Sequence, residues 1–141
     1  MKLISFLACV AAVCSCHASA AVAEADYNVV PLPRHIEAQK GDGFVLTPDV
    51  KVLYPAGNSV MERNARFVAE YVGDNLGFTP GIEGYSSLPK SKKGSKGAIL
   101  LSLDGNVGNK EGYEILVGKN GIGISGATPA GIFYGIQTLR K

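Results

Sequence analysis

The sequence predicts an α+β domain in which a mixed, largely antiparallel β-sheet carries two α-helices on one face. Three observations lead there. Residues 59–76 repeat apolar side chains at three- and four-residue steps, the mark of an amphipathic helix. Short apolar or alternating runs at 50–54 and 98–103 are bounded by turn residues, as strands are. The closing segment 111–141 reads strand, strand, helix. No internal repeat is visible, and 141 residues leave room for one domain.

The first twenty residues stand apart. Met1-Lys2 is a short basic start, and Leu3–Val13 is apolar but about half the ~20 residues that a membrane span needs. Ala18-Ser19-Ala20 has the small-x-small pattern of a signal-peptidase site. Residues 1–20 are therefore expected to be a signal peptide and 21–141 the exported domain, periplasmic or secreted. All three cysteines, Cys9, Cys14 and Cys16, fall in the leader, so cleavage after Ala20 leaves no thiol for a disulfide, nucleophile or metal site. An alternative is lipoprotein processing, with a lipid on Cys16 anchoring the protein to the outer membrane.

Residues 21–26 read as a loose leader. Tyr27–Val30 reads as a strand, and Pro31-Leu32-Pro33 forces an extended path that suits an edge or a connection. Ile36–Gln39 alternates, Gly41-Asp42-Gly43 turns, Phe44-Val45-Leu46 is apolar, and Val50–Tyr54 alternates again before Pro55. Two or three short strands account for this stretch.

A capping box at Ser59-Val60-Met61-Glu62 opens the first helix. Met61, Ala65, Val68, Val72 and Leu76 define its buried stripe, Phe67 and Tyr71 widen it, and Gly77 supplies a left-handed stop. Thr79–Gly97, with two prolines, four glycines and a lysine run at 90–96, reads as a solvated loop.

Ala98–Leu103 is nearly continuous in apolar residues and suits the middle of a sheet. Tyr113, Ile115 and Val117 alternate with their neighbours, and Asn120-Gly121 favours a hairpin to Ile122-Gly123-Ile124. Thr128 caps the second helix and Pro129 occupies its first position. Ile132, Phe133, Ile136 and Leu139 cover one side of it. Gly131 and Gly135 clear a neighbouring strip for close backbone packing. Each glycine weakens an isolated helix by ~1 kcal/mol relative to alanine, so tertiary contacts must compensate.

The search for chemistry finds no active site. After the leader is removed, thirteen basic residues face twelve acidic ones, a balance that makes no electrostatic case for nucleic acid. His35-Ile36-Glu37 lacks the second histidine of a zinc motif. Gly121–Gly126 has the form G-x-G-x-x-G, yet its glycines occupy a strand where a dinucleotide fingerprint opens a helix. No G-x-S-x-G occurs, and without tryptophan there is no usual stacking floor for a sugar. The expected sets of catalytic, cofactor-binding and metal-ligating residues are empty.

Two blocks nonetheless carry a resemblance. Val30-Pro31-Leu32-Pro33-Arg34-His35-Ile36-Glu37 stands at the start. Glu111–Ile115, Ile122–Gly126 and Gly131-Ile132-Phe133-Tyr134-Gly135-Ile136-Gln137-Thr138-Leu139 stand at the end. Together they resemble the N-terminal domain of glycoside hydrolase family 20, the β-N-acetylhexosaminidases. The resemblance implies a zincin-like accessory domain without a metal site or cofactor, followed in the family by a catalytic (β/α)8 barrel. It implies a parent enzyme that removes terminal N-acetylhexosamine by substrate-assisted, retaining hydrolysis. The barrel supplies the catalytic residues, so none is carried over here, and this chain alone is expected to be inactive. Glycan is then met only through the parent enzyme, and Gly131, Tyr134 and Gly135 are expected at the surface that meets the barrel. The alternatives are an exported glycan- or protein-binding module and the accessory domain of an O-GlcNAc-hydrolase-like glycosidase.

Overall fold

The computed structural model describes residues 28–29, 32–38, 41, 43–89 and 97–140. The leader, Cys16, the strand expected at Tyr27–Val30 and the lysine run 90–96 lie outside or only partly within them. Five strands and two helices follow in the order β1 (Lys51–Pro55), α1 (Ser59–Leu76), β2 (Gly81–Tyr85), β3 (Ala98–Leu103), β4 (Tyr113–Gly118), β5 (Gly121–Gly126) and α2 (Pro129–Leu139). The fold is α+β with a mixed five-stranded sheet in the order β2-β1-β3-β5-β4.

Most of the pairing is parallel, which corrects the expectation of a largely antiparallel sheet. β1 pairs in parallel with both β2 and β3, and β3 with β5; β4–β5 is the antiparallel pair. The cause lies in Gly81-Ile82-Glu83-Gly84-Tyr85, which reads as loop because of its two glycines but forms the edge strand β2. With β2 in place, α1 becomes the crossover of a β1-α1-β2 unit, and such a helix returns the chain in the same direction. Phe44–Leu46 and Ile36–Ala38, expected as strands, carry no strand pairing.

β3 is central and buried from Ala98 to Ser102, as its continuous apolar run implies. The β4–β5 hairpin turns through Lys119-Asn120, with Gly118 opposite Gly121. No described non-glycine residue has positive φ, and Gly121 does not either, so the hairpin forms without the left-handed Asn-Gly turn.

Both helices lie on one face and touch each other, α1 over β1 and β2, α2 over β5 and β4. Met61, Ala65, Val68, Ala69 and Val72 from α1 meet Val52, Ile99, Leu101, Ile122 and Ile124 from the sheet and Ile132 and Ile136 from α2. Full burial of each large member contributes about 1.5–3 kcal/mol. Leu76, expected in the stripe, is half exposed at the last turn. The α1 cap is Asn58 rather than Ser59: its side-chain oxygen accepts from the Val60 and Met61 N–H groups at 3.2 and 3.1 Å. Gly77 closes the helix at φ 76°, its N–H donating to the Gly73 carbonyl.

Candidate interdomain surface

Thr128 and Pro129 start α2 as expected, the Thr128 hydroxyl accepting from the Gly131 N–H at 3.3 Å and itself donating to the Lys110 carbonyl. The threonine thereby ties α2 to the loop that enters β4. Within this frame the three residues expected at the barrel surface separate.

Gly131 and Gly135 face inward. A Cβ on Gly131 would run into the Gly112 carbonyl oxygen, and one on Gly135 would lie 2.7 Å from Ile124 Cγ2 and 3.3 Å from the Tyr113 ring. Both glycines are buried. They let α2 settle onto β4 and β5, which corrects their assignment to a surface between domains. The Tyr113 hydroxyl completes this seam, 2.7 Å from Thr138 Oγ1. Tyr134 points away from it and is 40% exposed.

The outward side of the helix pair carries a cluster of apolar side chains. Val60 and Phe133 are 44% and 40% exposed, and Phe67 packs on Phe133 with ring centroids 5.6 Å apart. Tyr134 meets Phe133 edge-on at 6.3 Å. Val60, Arg63, Asn64, Phe67, Pro129 and Phe133 line a groove of ≈ 360 Å³ between α1 and α2. Its floor is fixed by Asn64, a buried polar residue whose Nδ2 donates to the Pro129 carbonyl at 3.0 Å. At the end of α2 the Arg140 guanidinium sits over Phe67 and Tyr71, 4.9 and 4.8 Å from their ring centres. The Tyr71 hydroxyl donates to the Arg140 carbonyl at 2.5 Å, so the helix end is held against α1.

Sequence reasoning missed this groove, although a signal was present. Phe67 and Tyr71 widen the α1 stripe beyond what one sheet contact absorbs, and Phe133 does the same for α2. The surplus faces outward.

Polar clusters elsewhere are simple. His35 Nε2 and Glu37 Oε1 lie 2.8 Å apart and exposed, at successive same-side positions of an extended segment. Lys51 bonds Glu83 at 2.7 Å across β1 and β2, and that hydrogen bond, then the charge of Glu83, holds the lysine above its ordinary range. Arg66 pairs with Glu62 at 2.6 Å, one turn earlier on α1, and is shifted up for the same two reasons. Burial raises the Tyr85 phenol, whose hydroxyl donates to the Leu101 carbonyl at 3.0 Å. Among the described residues, no three His, Cys, Asp or Glu side chains gather as metal ligands, and no helix is long and apolar enough to cross a membrane.

Fold and surface define a class: a two-layer α+β module with an apolar, aromatic groove between its two helices. The family model for glycosyl hydrolase family 20, domain 2, matches residues 26–141, and the chain belongs to that family. It is similar to the N-acetyl-beta-hexosaminidase of Streptomyces plicatus at 27% identity and TM-score 0.58. It is likewise similar to the GH20 beta-N-acetylhexosaminidase of Streptomyces coelicolor A3(2) at 29% and 0.56. Each match covers 79% of this chain and 20% of the other, so the chain spans about a fifth of those enzymes. CpGH84D, 17% identical with TM-score 0.55 over 82% of this chain and 21% of its own, shares the fold alone. Comparison with curated proteins gives no match.

Proposed function

We propose that this domain is the non-catalytic accessory part of a β-N-acetylhexosaminidase that removes terminal N-acetylhexosamine from glycans by substrate-assisted, retaining hydrolysis. The observation that supports it most is the family 20 domain 2 match over residues 26–141. The similar Streptomyces enzymes are N-acetylhexosaminidases of which such a domain is only a fifth. In this reading the domain braces the catalytic barrel and takes no part in bond cleavage, so glycan is engaged through the parent enzyme only. The purified chain should show no turnover of a chromogenic N-acetylglucosaminide, and measurable hydrolysis by it would overturn the reading.

Export belongs to the same proposal, carried by Lys2, the apolar stretch 3–13 and Ala18-Ser19-Ala20. Mass spectrometry of the protein recovered from its host distinguishes a mature N-terminus at Ala21 from a lipid-modified Cys16. An uncleaved Met1 in a soluble cytoplasmic product would refute export by either route.

A further inference from the structure

The β4–β5 hairpin turns at the one asparagine–glycine step of the chain, Asn120-Gly121. We propose that Asn120 is a site of spontaneous covalent modification, deamidating through a succinimide to aspartate and isoaspartate. Ammonia is the leaving group and water the co-reactant. Such a step needs a side-chain amide free to turn onto the next backbone nitrogen, and little bulk on the residue that carries that nitrogen.

The seven asparagines separate on the first requirement. Asn58 Oδ1 accepts from the Val60 and Met61 N–H groups, and Asn64 Nδ2 donates to the Pro129 carbonyl. Asn75 Nδ2 donates to the Tyr71 carbonyl, Asn106 Nδ2 to Asp104 Oδ1, and Asn109 Oδ1 accepts from the Glu111 N–H. Asn28 is not free of partners either. Asn120 alone is exposed with a side-chain amide that makes no hydrogen bond among the described residues. They separate again on the second. The residues after the other six are Val29, Ser59, Ala65, Leu76, Val107 and Lys110, each with a β-carbon beside the attacking nitrogen, and Gly121 has none. Gly121 is buried and closes the hairpin opposite Gly118, so attack follows opening of this terminal pair, a local event at the end of the ladder.

The Gly121 nitrogen gives up its proton to solvent base and bonds Asn120 Cγ, and the Cγ–Nδ2 bond breaks to release ammonia. Water then opens the ring. Opening at Cγ leaves aspartate; opening at the main-chain carbonyl leaves isoaspartate, whose chain runs on through Cβ and Cγ. The two products act differently on the sheet. The Asn120 carbonyl accepts from the Gly97 N–H at 2.8 Å, and the Gly97 carbonyl accepts from the Lys51 N–H at 3.2 Å. The turn thereby ties the starts of β5, β3 and β1. Aspartate keeps that acceptor in place and adds a charge next to Lys119. Isoaspartate lengthens the main chain by one carbon and turns the acceptor into a pendant carboxylate, which releases the tie.

The test incubates the intact 141-residue chain in mildly alkaline native buffer and follows every asparagine by peptide mass mapping. Amide-to-acid conversion should be at least about tenfold faster at Asn120 than at any other asparagine. Asn120→Gln, which moves the amide one methylene further from the nitrogen, should abolish that conversion and leave the circular dichroism unchanged. The isoaspartate fraction should unfold at lower urea than Asn120→Asp, and equal midpoints overturn the release of the tie. Conversion led by Asn106 or Asn109, exposed but engaged, overturns the inference. So does an Asn120 that persists in native buffer, even if it converts in denaturing urea, because the reactivity would then belong to the unfolded chain.

Discussion

Replacing Gly131 with alanine distinguishes an inward notch from an outward one by the sign of a stability change. On an exposed helix face the substitution stabilises by up to ~1 kcal/mol, because alanine has the better helix propensity. Here the new methyl group meets the Gly112 carbonyl oxygen, with Gly112 C at 3.3 Å and Glu111 C at 3.4 Å behind it. All three are backbone atoms, so no rotamer change relieves the contact. The loop that carries them is tied down as well. Gly112 N–H bonds the Asn109 carbonyl at 2.9 Å, Glu111 N–H bonds Asn109 Oδ1 at 2.9 Å, and Thr128 bonds the Lys110 carbonyl.

Overpacking a tight site costs about 1–3 kcal/mol, and an obstacle made of anchored backbone belongs at the upper end. Less the helix gain, Gly131→Ala should destabilise the domain by about 2 kcal/mol, lowering Tm by roughly 5–12 °C for a domain of this size. Gly135→Ala should cost less, because its obstacles are the side chains of Ile124 and Tyr113 rather than backbone. Urea unfolding followed by far-ultraviolet circular dichroism measures both, with an unchanged m value as the check that the denatured state is comparable. Ala130→Gly, at an exposed position of the same turn, should cost no more than ~1 kcal/mol by propensity alone. A Gly131→Ala protein that is more stable than wild type would refute the inward assignment and restore Gly131 to the outer surface.

Three further outcomes follow from the same packing. Asn58→Ala should lose about 1 kcal/mol in the same unfolding assay while Ser59→Ala changes little, because the Asn58 oxygen accepts the first free N–H groups of α1. Asn64→Ala should lose about 1–2 kcal/mol, since it removes a buried bond that joins α1 to the start of α2. Burial raises the folded-state Tyr85 phenol, so its contribution to stability is complete below the unfolded value of about 10 and is lost as pH rises through the folded value. Urea midpoints measured from about pH 9 to about pH 11 should therefore fall less steeply in Tyr85→Phe than in wild type, and equal slopes would remove the burial argument.

What the sequence displayed and what it concealed differ by range of interaction. The α1 stripe, the Gly77 stop, the continuous β3 run and the Thr128-Pro129 start are local patterns, each set by the chain's own period or by one cap. β2 was concealed because Gly-Ile-Glu-Gly-Tyr has little intrinsic strand preference and is held by pairing with β1, thirty residues away in register at Lys51–Gly81. The direction of the sheet depended on that one strand. The glycine notch was legible as close packing, but its partner was not: Gly131 lies beside Gly112 only because the hairpin brings the two together. Aromatic surplus behaves the same way. Phe67 on α1 and Phe133 on α2 each read as core, and each would be buried if its helix met a sheet on that side. The sheet occupies the opposite side, and the helix pair can satisfy only one layer. An apolar stripe wider than its own sheet requires therefore leaves side chains on the outer face of the helices, and in this domain the surplus falls on Val60, Phe67 and Phe133.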